Sequence, residues 1–411
     1  MSLQYVKARE ARCVQFNSAK SWETAIAHYV FVRMEAMHSY QQPAALYSPS
    51  MEELARQKFV LALKVFANGV AQLRVRAQFR DVVQPQLAES LGEAPAQRSQ
   101  VEVPLRQSTP FRHWAVLAHY TQSMMWRSIE TTTQRVAAEG QRRFAALTAM
   151  SDLRGSLHLD PTLEVPTPIA NCEIHRQPGG YVAEASCDDL RAGLRYVGAS
   201  AIYGPGKGNA VEGTDARGAF VVEQVRARFP SLRPRRILEL GCGVGIASQT
   251  LARAFPQAEY HAIDVAPGLL RLGHLLATER GTPIHFYQRD AAHSGFPDAH
   301  FDLVVSNIFF HETNSARLPQ SLREARRVLA PGGAMLHTDV PYQIDHIGLA
   351  EQVMNHWQVQ WNGEPFWSAF GQYDMCAEII AAGFDVERSF AQYIGPPGSS
   401  ESFVFGASLA S

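Results

Sequence analysis

The sequence predicts an α/β domain in the C-terminal half, preceded by a mostly α-helical N-terminal domain. Three observations carry that reading. First, Arg236-Ile237-Leu238-Glu239-Leu240 is a short apolar run that leads into three alternating glycines, Gly241, Gly243 and Gly245, and then into the helical stretch Ile246–Phe255. Strand, glycine turn and helix form the first half of a βαβ unit. Second, strand-like runs recur downstream at 261–264, 284–290, 301–307 and 334–339. Third, the first 150 residues are rich in apolar side chains at helical spacing, as in Met51–Leu73 and Trp114–Trp126.

A chain of 411 residues exceeds the usual size of one domain, so two are expected, with 46% apolar and 19% charged residues supplying a well-buried core. The formal net charge of −1 offers no global basic field, so neither nucleic acid nor an anionic membrane is an expected partner. The five cysteines (Cys13, Cys172, Cys187, Cys242, Cys376) are scattered without C-x-x-C spacing, so neither a disulfide framework nor a metal site is expected. The N-terminal residues lack an apolar leader core and no run of about 18 apolar residues occurs, which predicts a soluble, cytoplasmic protein.

In chain order, residues 19–40 carry a helical apolar pattern closed by Pro43. Ser50 with Glu53 forms a capping box that starts a helix expected to run to Val83, before Pro85. Its apolar residues are too dense for one stripe, which implies burial on two sides, between helices or at a homodimer interface. Glu93–Pro110 reads as a loop, Thr109-Pro110 as a helix start, and Phe111–Leu147 as one long helix or two. The aromatic and Met-rich run Trp114–Trp126 suits core packing or the wall of an apolar pocket. Ser151–Tyr181 reads as an irregular or β-rich connector, and Asp188-Asp189 as the opening of a short helix. Ala201–Gly208 is glycine-rich, lacks a P-loop ending, and suits a mobile lid, with Tyr203 as a contact to cofactor or substrate. The expected organisation is therefore 1–150 helical, 151–210 connector and lid, and 211–411 α/β.

Within the α/β domain, strand ends collect acids. Glu239 precedes the glycine turn, Asp264 ends the second strand, Asp290 follows the third, and Asn307 ends the fourth. Ligands of open α/β sheets bind at these carboxyl ends. The turn spacing G-x-G-x-G with an acid about twenty residues on fits either a nicotinamide dinucleotide or S-adenosylmethionine (SAM).

The ordered set of E-x-G-x-G-x-G, the acids after strands two and three, the F-D-L-V-V-S strand and the R-V-L-x-P-G-G turn resembles the class I SAM-dependent methyltransferases over about residues 235–340. The resemblance implies a Rossmann-like seven-stranded sheet closed by an antiparallel hairpin, here Val386–Phe390 and Ser402–Ala407. It also implies that the turn Gly241, Cys242, Gly243 and Gly245 packs against the methionine part of SAM. Asp264 would hold the ribose hydroxyls, Val265 would lie against the adenine, and Asp290 with Ala291 would receive the adenine amino group. Glu239 would order the turn, and Asn307 completes the set. Each acid has a plainer reading as the cap of the following helix. Cys242 reads as a small space-filling side chain.

Related small-molecule O-methyltransferases carry a catalytic His after strand four. Here His311-Glu312 stands in that region, with His311 as general base or as a residue of shape, and with Asp339 as a carboxylate that would orient its ring. The expected function is SAM-dependent methyl transfer to a small apolar or aromatic metabolite, most readily at oxygen. A protein methyltransferase and a SAM-binding regulator are the alternatives.

Overall fold

The computed structural model describes residues 46–206, 216–395 and 401–410. The helical pattern expected at 19–40 lies outside them, as does most of the glycine-rich stretch beyond Gly206.

The first helix, α1 (Met51–Phe66), begins as its sequence dictates. Ser50 accepts from the Glu53 N–H, and the Glu53 side chain returns to the Ser50 N–H. The helical path then continues beyond Val83, through two wider π-type turns (Ala67–Ala71 and Phe79–Val83), to α2 (Gln72–Gln78) and α3 (Gln84–Leu91). Pro85 does not stop it: it directly follows the wider turn Phe79–Val83, where the helical bonding changes from π-type to α-type.

Where a loop was expected at Glu93–Pro110, the structure has a helix, α4 (Arg98–Gln107), with Pro104 inside. Gln97 and Gln100 form its capping box, and Val101 and Leu105 are fully buried. Tertiary burial thus outweighs the local preference against proline. Helix α5 (Thr109–Thr148) is a single helix of 40 residues capped by Ser108. Its buried face, Trp114, Ala118, Met125, Ile129, Val136, Phe144 and Leu147, follows three- and four-residue spacing. Trp114 and Met125 are packing residues there, whereas Tyr120 stands exposed.

The sheet has eight strands in the order β1-β4-β3-β2-β5-β6-β8-β7. These are β1 (Ser156–His158), β2 (Arg236–Leu240), β3 (Glu259–Asp264), β4 (His285–Gln288), β5 (Phe301–Asn307), β6 (Leu329–Asp339), β7 (Ser389–Ile394) and β8 (Ser402–Ser408). Strands β2 to β8 are the seven expected. The eighth, β1, comes from the connector and pairs in parallel with β4 at the sheet edge. The closing hairpin is present, with β8 antiparallel to both β6 and β7. Its first strand starts three residues later than expected, because Val386–Arg388 forms a 3-10 turn.

Between strands run α6 (Arg191–Gly206), α7 (Ala216–Arg228), α8 (Ile246–Ala254), α9 (Pro267–Glu279), α10 (Arg317–Val328), α11 (Leu349–Trp361) and α12 (Met375–Ala381). One apolar core joins α1, α5 and α6 to Val244 of the turn after β2 and to Leu269, Leu272 and Leu276 of α9. A second joins Val75, Val101, Leu105 and Trp114 to Val353 and Trp357 of α11. The helical layer is therefore packed against α9 and α11, the helices that flank the sheet, which brings connector residues to the strand ends.

Candidate active site

The glycine turn after β2 is built by backbone geometry. Gly241, Gly243 and Gly245 have φ of +65°, +56° and +67°, a region that costs other residues roughly 1–2 kcal/mol. At Gly241 a Cβ would lie 2.1 Å from the Phe309 ring. At Gly243 a Cβ would meet the Tyr196 ring at 3.5 Å, an ordinary contact, so Tyr196 stands over the turn. A backbone without side chains lets a ligand such as SAM approach closely.

Asp264 closes the turn from β3. Its Oδ2 accepts from the Gly243 N–H at 2.9 Å and its Oδ1 from the Ala266 N–H at 2.9 Å. Burial pushes this carboxyl up against those bonds. Asp264 thus ties the glycine turn to the chain that opens α9, and each of its oxygens keeps a second lone pair. Glu239 is buried under the turn and accepts from the Ser248 and Tyr260 hydroxyls; burial raises its carboxyl to about 7. It ties α8 and β3 to β2 through these two hydroxyls. Cys242 is buried, with its thiol pushed well up, in line with a space-filling role.

The remaining sequence-predicted contacts sit around this turn. Asp290 caps its own turn through the Ala292 N–H at 2.9 Å and pairs with Arg317 at 2.7 Å. Ala291 is buried beside it. The Val265 carbonyl accepts from Gln288. Asn307 accepts from the Thr338 hydroxyl at 3.0 Å. The next residue, Ile308, has φ +57°, an outlier for a β-branched side chain.

Beyond Ile308 lies a network of alternating acids and imidazoles. His311 Nδ1–H donates to Asp339 Oδ1 at 2.6 Å, and its Nε2 lies 3.2 Å from Glu312 Oε1. The Phe310 and His311 N–H groups also donate to Asp339. The same Glu312 oxygen accepts from His175 Nε2–H at 2.8 Å, and His175 Nδ1–H donates to Glu364 Oε1 at 2.9 Å. Tyr203 donates to Glu364 as well. Burial alone would push both rings down. The carboxylates outweigh it and hold His175 up at about 9 and His311 at about 10. Burial likewise opposes ionisation of Glu312, but the two imidazolium rings hold its carboxyl well below the usual range.

This geometry separates the two roles open to His311. A ring that is protonated at neutral pH and donates both N–H groups accepts no proton. With both ring nitrogens facing carboxylates, Asp339 and Glu312, His311 is placed to hold shape and charge in the network. Glu312, the other member of the pair, keeps one oxygen, Oε2, to which no other described residue bonds.

The network adjoins the glycine turn through tyrosines. Tyr196 faces Gly243, the Tyr196 and Tyr181 rings are 6.2 Å apart, and Tyr181 is 6.2 Å from the His175 ring. Burial raises both phenols, and the Glu312 charge adds to it.

His175 and Glu364 were not foreseen. His175 lies in the irregular connector with φ +54°, its N–H on the Gly363 carbonyl and its carbonyl bonded by Gln122 and Trp126 at 2.6 Å each. The one available signal was a His in a segment without regular structure, which is too common to select.

A family model described as a methyltransferase domain matches residues 237–333. Three curated relatives align over this region. A malonyl-[acyl-carrier protein] O-methyltransferase of Halorhodospira halophila is 36% identical over 118 residues, covering 28% of this chain and 39% of the relative. A demethylmenaquinone methyltransferase of Thermus thermophilus is 38% identical over 108 residues, covering 26% and 48%. A fatty-acid O-methyltransferase of Mycolicibacterium smegmatis is 37% identical over 114 residues, covering 27% and 39%. The chain thus spans less than half the length of these relatives. Among solved structures, an arsenic(III) SAM methyltransferase of Chlamydomonas reinhardtii aligns at TM-score 0.35 and 23% identity, over 47% of this chain and 74% of that one. The matched domain, the left-handed glycine turn with Asp264 beneath it, and the strand order closed by β8 make the C-terminal part of this chain a class I SAM-dependent methyltransferase domain.

Proposed function

We propose that the chain transfers a methyl group from SAM to a hydroxyl oxygen of a small aromatic or apolar acceptor, and that Glu312 receives the hydroxyl proton. The observation that carries this reading is Glu312 itself, with Oε1 between the Nε2 atoms of His175 and His311 and its charge acting on Tyr181 and Tyr196 beside the glycine turn. SAM, when bound, supplies an electrophilic methyl carbon and a thioether leaving group.

The rest falls to the chain. Asp264 and the Gly241–Gly245 backbone fix the cofactor, and the Tyr181 and Tyr196 rings flank the acceptor. As the acceptor oxygen forms its bond to carbon, its proton becomes strongly acidic and moves to Glu312 Oε2. A carboxylate held low by two cations is a weak base, but it suffices for so acidic a proton. The network fixes its position, and position is the larger effect, worth up to roughly 7–11 kcal/mol of barrier. The helical layer, through Gln122, Trp126 and His175, completes the site.

The test is incubation with SAM and a panel of phenols, alcohols, carboxylic acids and amines, read by mass spectrometry for products heavier by one methylene. Methyl ethers that form with wild type and fail with Glu312→Gln support the reading. Products confined to amines or to a polypeptide would overturn it.

A further inference from the structure

The convergence of His175, Glu312 and Glu364 has a chemistry beyond hydrogen bonding. We propose that these three side chains form a site for one first-row divalent cation, such as Mn²⁺, Fe²⁺ or Zn²⁺, beside the acceptor pocket. The inference rests on the proposed methyl-transfer site and adds an ion to it.

Each residue offers one ligand atom, and these atoms lie within 4.8 Å of one another. An ion takes the place of the proton on one His175 nitrogen, and with bonds of about 2.1 Å it draws its donors to about 3–4.2 Å from one another, so the cluster contracts on binding. One imidazole nitrogen with two carboxylates is a donor set for intermediate and hard first-row ions, and the absence of a thiolate disfavours soft ones.

The donors come from three segments that the fold fixes separately. His175 is pinned on both sides of its own peptide, by Gly363 and by the Gln122–Trp126 pair. Gly363 has φ +73°, and a Cβ there would lie 2.5 Å from the Arg176 nitrogen, so glycine alone lets this strand of chain meet the His175 turn. Glu312 is held from behind by His311, which Asp339 orients. Such supporting bonds are what ligating side chains need in order to hold direction.

Only part of the cluster is closed to the pocket. Glu364 is buried, while His175 and Glu312 keep 17% and 14% of their side-chain surface accessible. An ion bound there has coordination positions on the accessible side of His175 and Glu312, where an acceptor hydroxyl would become a ligand. Two other clusters lack this combination. The histidines His261, His285 and His300 stack by their rings, 5.3 to 6.3 Å apart, around the exposed Glu259. The apolar face of Met51, Phe59 and Phe66 on α1 carries no ligand chemistry.

The full-length protein, stripped with chelator and dialysed, is titrated with MnCl₂ and with ZnCl₂ by calorimetry. One ion per chain is expected, with affinity falling by about 10–100-fold or more in His175→Ala and Glu364→Gln, and with SAM affinity unchanged as the check on folding. On wild type, the spin-echo spectrum of bound Mn²⁺ should show one coupled imidazole nitrogen. No saturable binding, unchanged binding in both variants, or bound Mn²⁺ without a nitrogen coupling would overturn the site. Methyl transfer that persists after chelation, with no ion bound, sinks the cation and leaves the methyltransferase reading intact. An ion that binds as described, without any methyl product, does the reverse.

Discussion

The glycine cradle and the acid–imidazole network lie side by side and are assembled in opposite ways. The cradle is local: Gly243 and Asp264, its central bond, are 21 positions apart in sequence. The network is distributed: its His175–Glu364 bond spans 189 positions and its His311–Asp339 bond 28. They differ in charge as well. The cradle buries acids with few opposing charges, so Asp264 and Glu239 are pushed up and ionise at a cost. In the network every imidazole lies between carboxylates, so its ionised forms support one another. The cradle is strained toward a ligand, while the network is satisfied and rigid. A fold can carry the first as a portable motif, whereas the second has to be specified by the whole chain.

The largest effect that would break this division lies at Glu312. If the network acts in the chemistry and the cradle in binding, Glu312→Gln should lower turnover by about 10²–10⁴-fold and leave SAM affinity unchanged. A joint loss of both, read by steady-state rates and calorimetry, would mean that the two parts are one cooperative unit. The converse experiment is Asp264→Ala. It should cost on the order of 2–4 kcal/mol of SAM binding, from two charged hydrogen bonds, with Gly243→Val failing because its side chain takes the ligand's place between the left-handed turn and Tyr196. Wild-type SAM affinity in both variants would remove the cradle from cofactor binding.

The pH dependence of stability separates the two parts further. His175 and His311 have folded pKa values raised above the ordinary value, so their stabilisation is complete below about pH 6.5 and is lost as pH rises through about 9 and 10. Glu239 also has a raised value, but as a carboxyl, so it favours the folded state in acid and costs stability as pH rises from its unfolded value toward about 7. Urea unfolding of the cofactor-free protein should therefore weaken in two steps. Glu239→Gln should shrink the lower step to the part that Asp264 contributes and raise stability at pH 8 by on the order of 1–3 kcal/mol. His311→Gln should remove part of the upper step and lower stability at pH 7. A single step unaffected by either variant would count against the electrostatic contrast.

The parts legible in the sequence are those whose physics is local. The cradle, the strands Arg236–Leu240 and Phe301–Asn307, the capping box at Ser50 and the closing hairpin each follow from a few neighbouring residues. His311-Glu312 was legible as a pair, and Asp339 as a partner for the ring. The division of labour between the two was not, because it depends on how many carboxylates surround each imidazole. Helix α4 was lost to the polarity of its exposed face and to Pro104, since the burial that holds Val101 and Leu105 is supplied by α11, about 250 residues away. His175 and Glu364 lie in segments with no periodicity, and only the helical layer brings them together.

The smallest expected effect on stability is at Ile308, where the two parts meet. Its φ of +57° points the chain from Asn307 toward Phe309, whose ring covers Gly241, and then into His311-Glu312. For an isoleucine that conformation costs roughly 1–2 kcal/mol. Ile308→Gly relieves the strain. It also forfeits part of a half-buried side chain, worth at most about 1.5–3 kcal/mol when full, and adds about 0.5–1 kcal/mol of backbone entropy to the unfolded chain. These contributions nearly cancel, so chemical denaturation should show a change within about 1 kcal/mol. Turnover is the more sensitive readout, because a shift of about 1 Å in a reacting group can cost about 10²-fold, and Glu312 hangs from this turn. Ile308→Asn, which tolerates the left-handed region and retains a side chain, should keep more activity than Ile308→Gly at similar stability. If both variants turn over as wild type does, the turn merely connects cradle and network, and the strain at Ile308 has no part in aligning them.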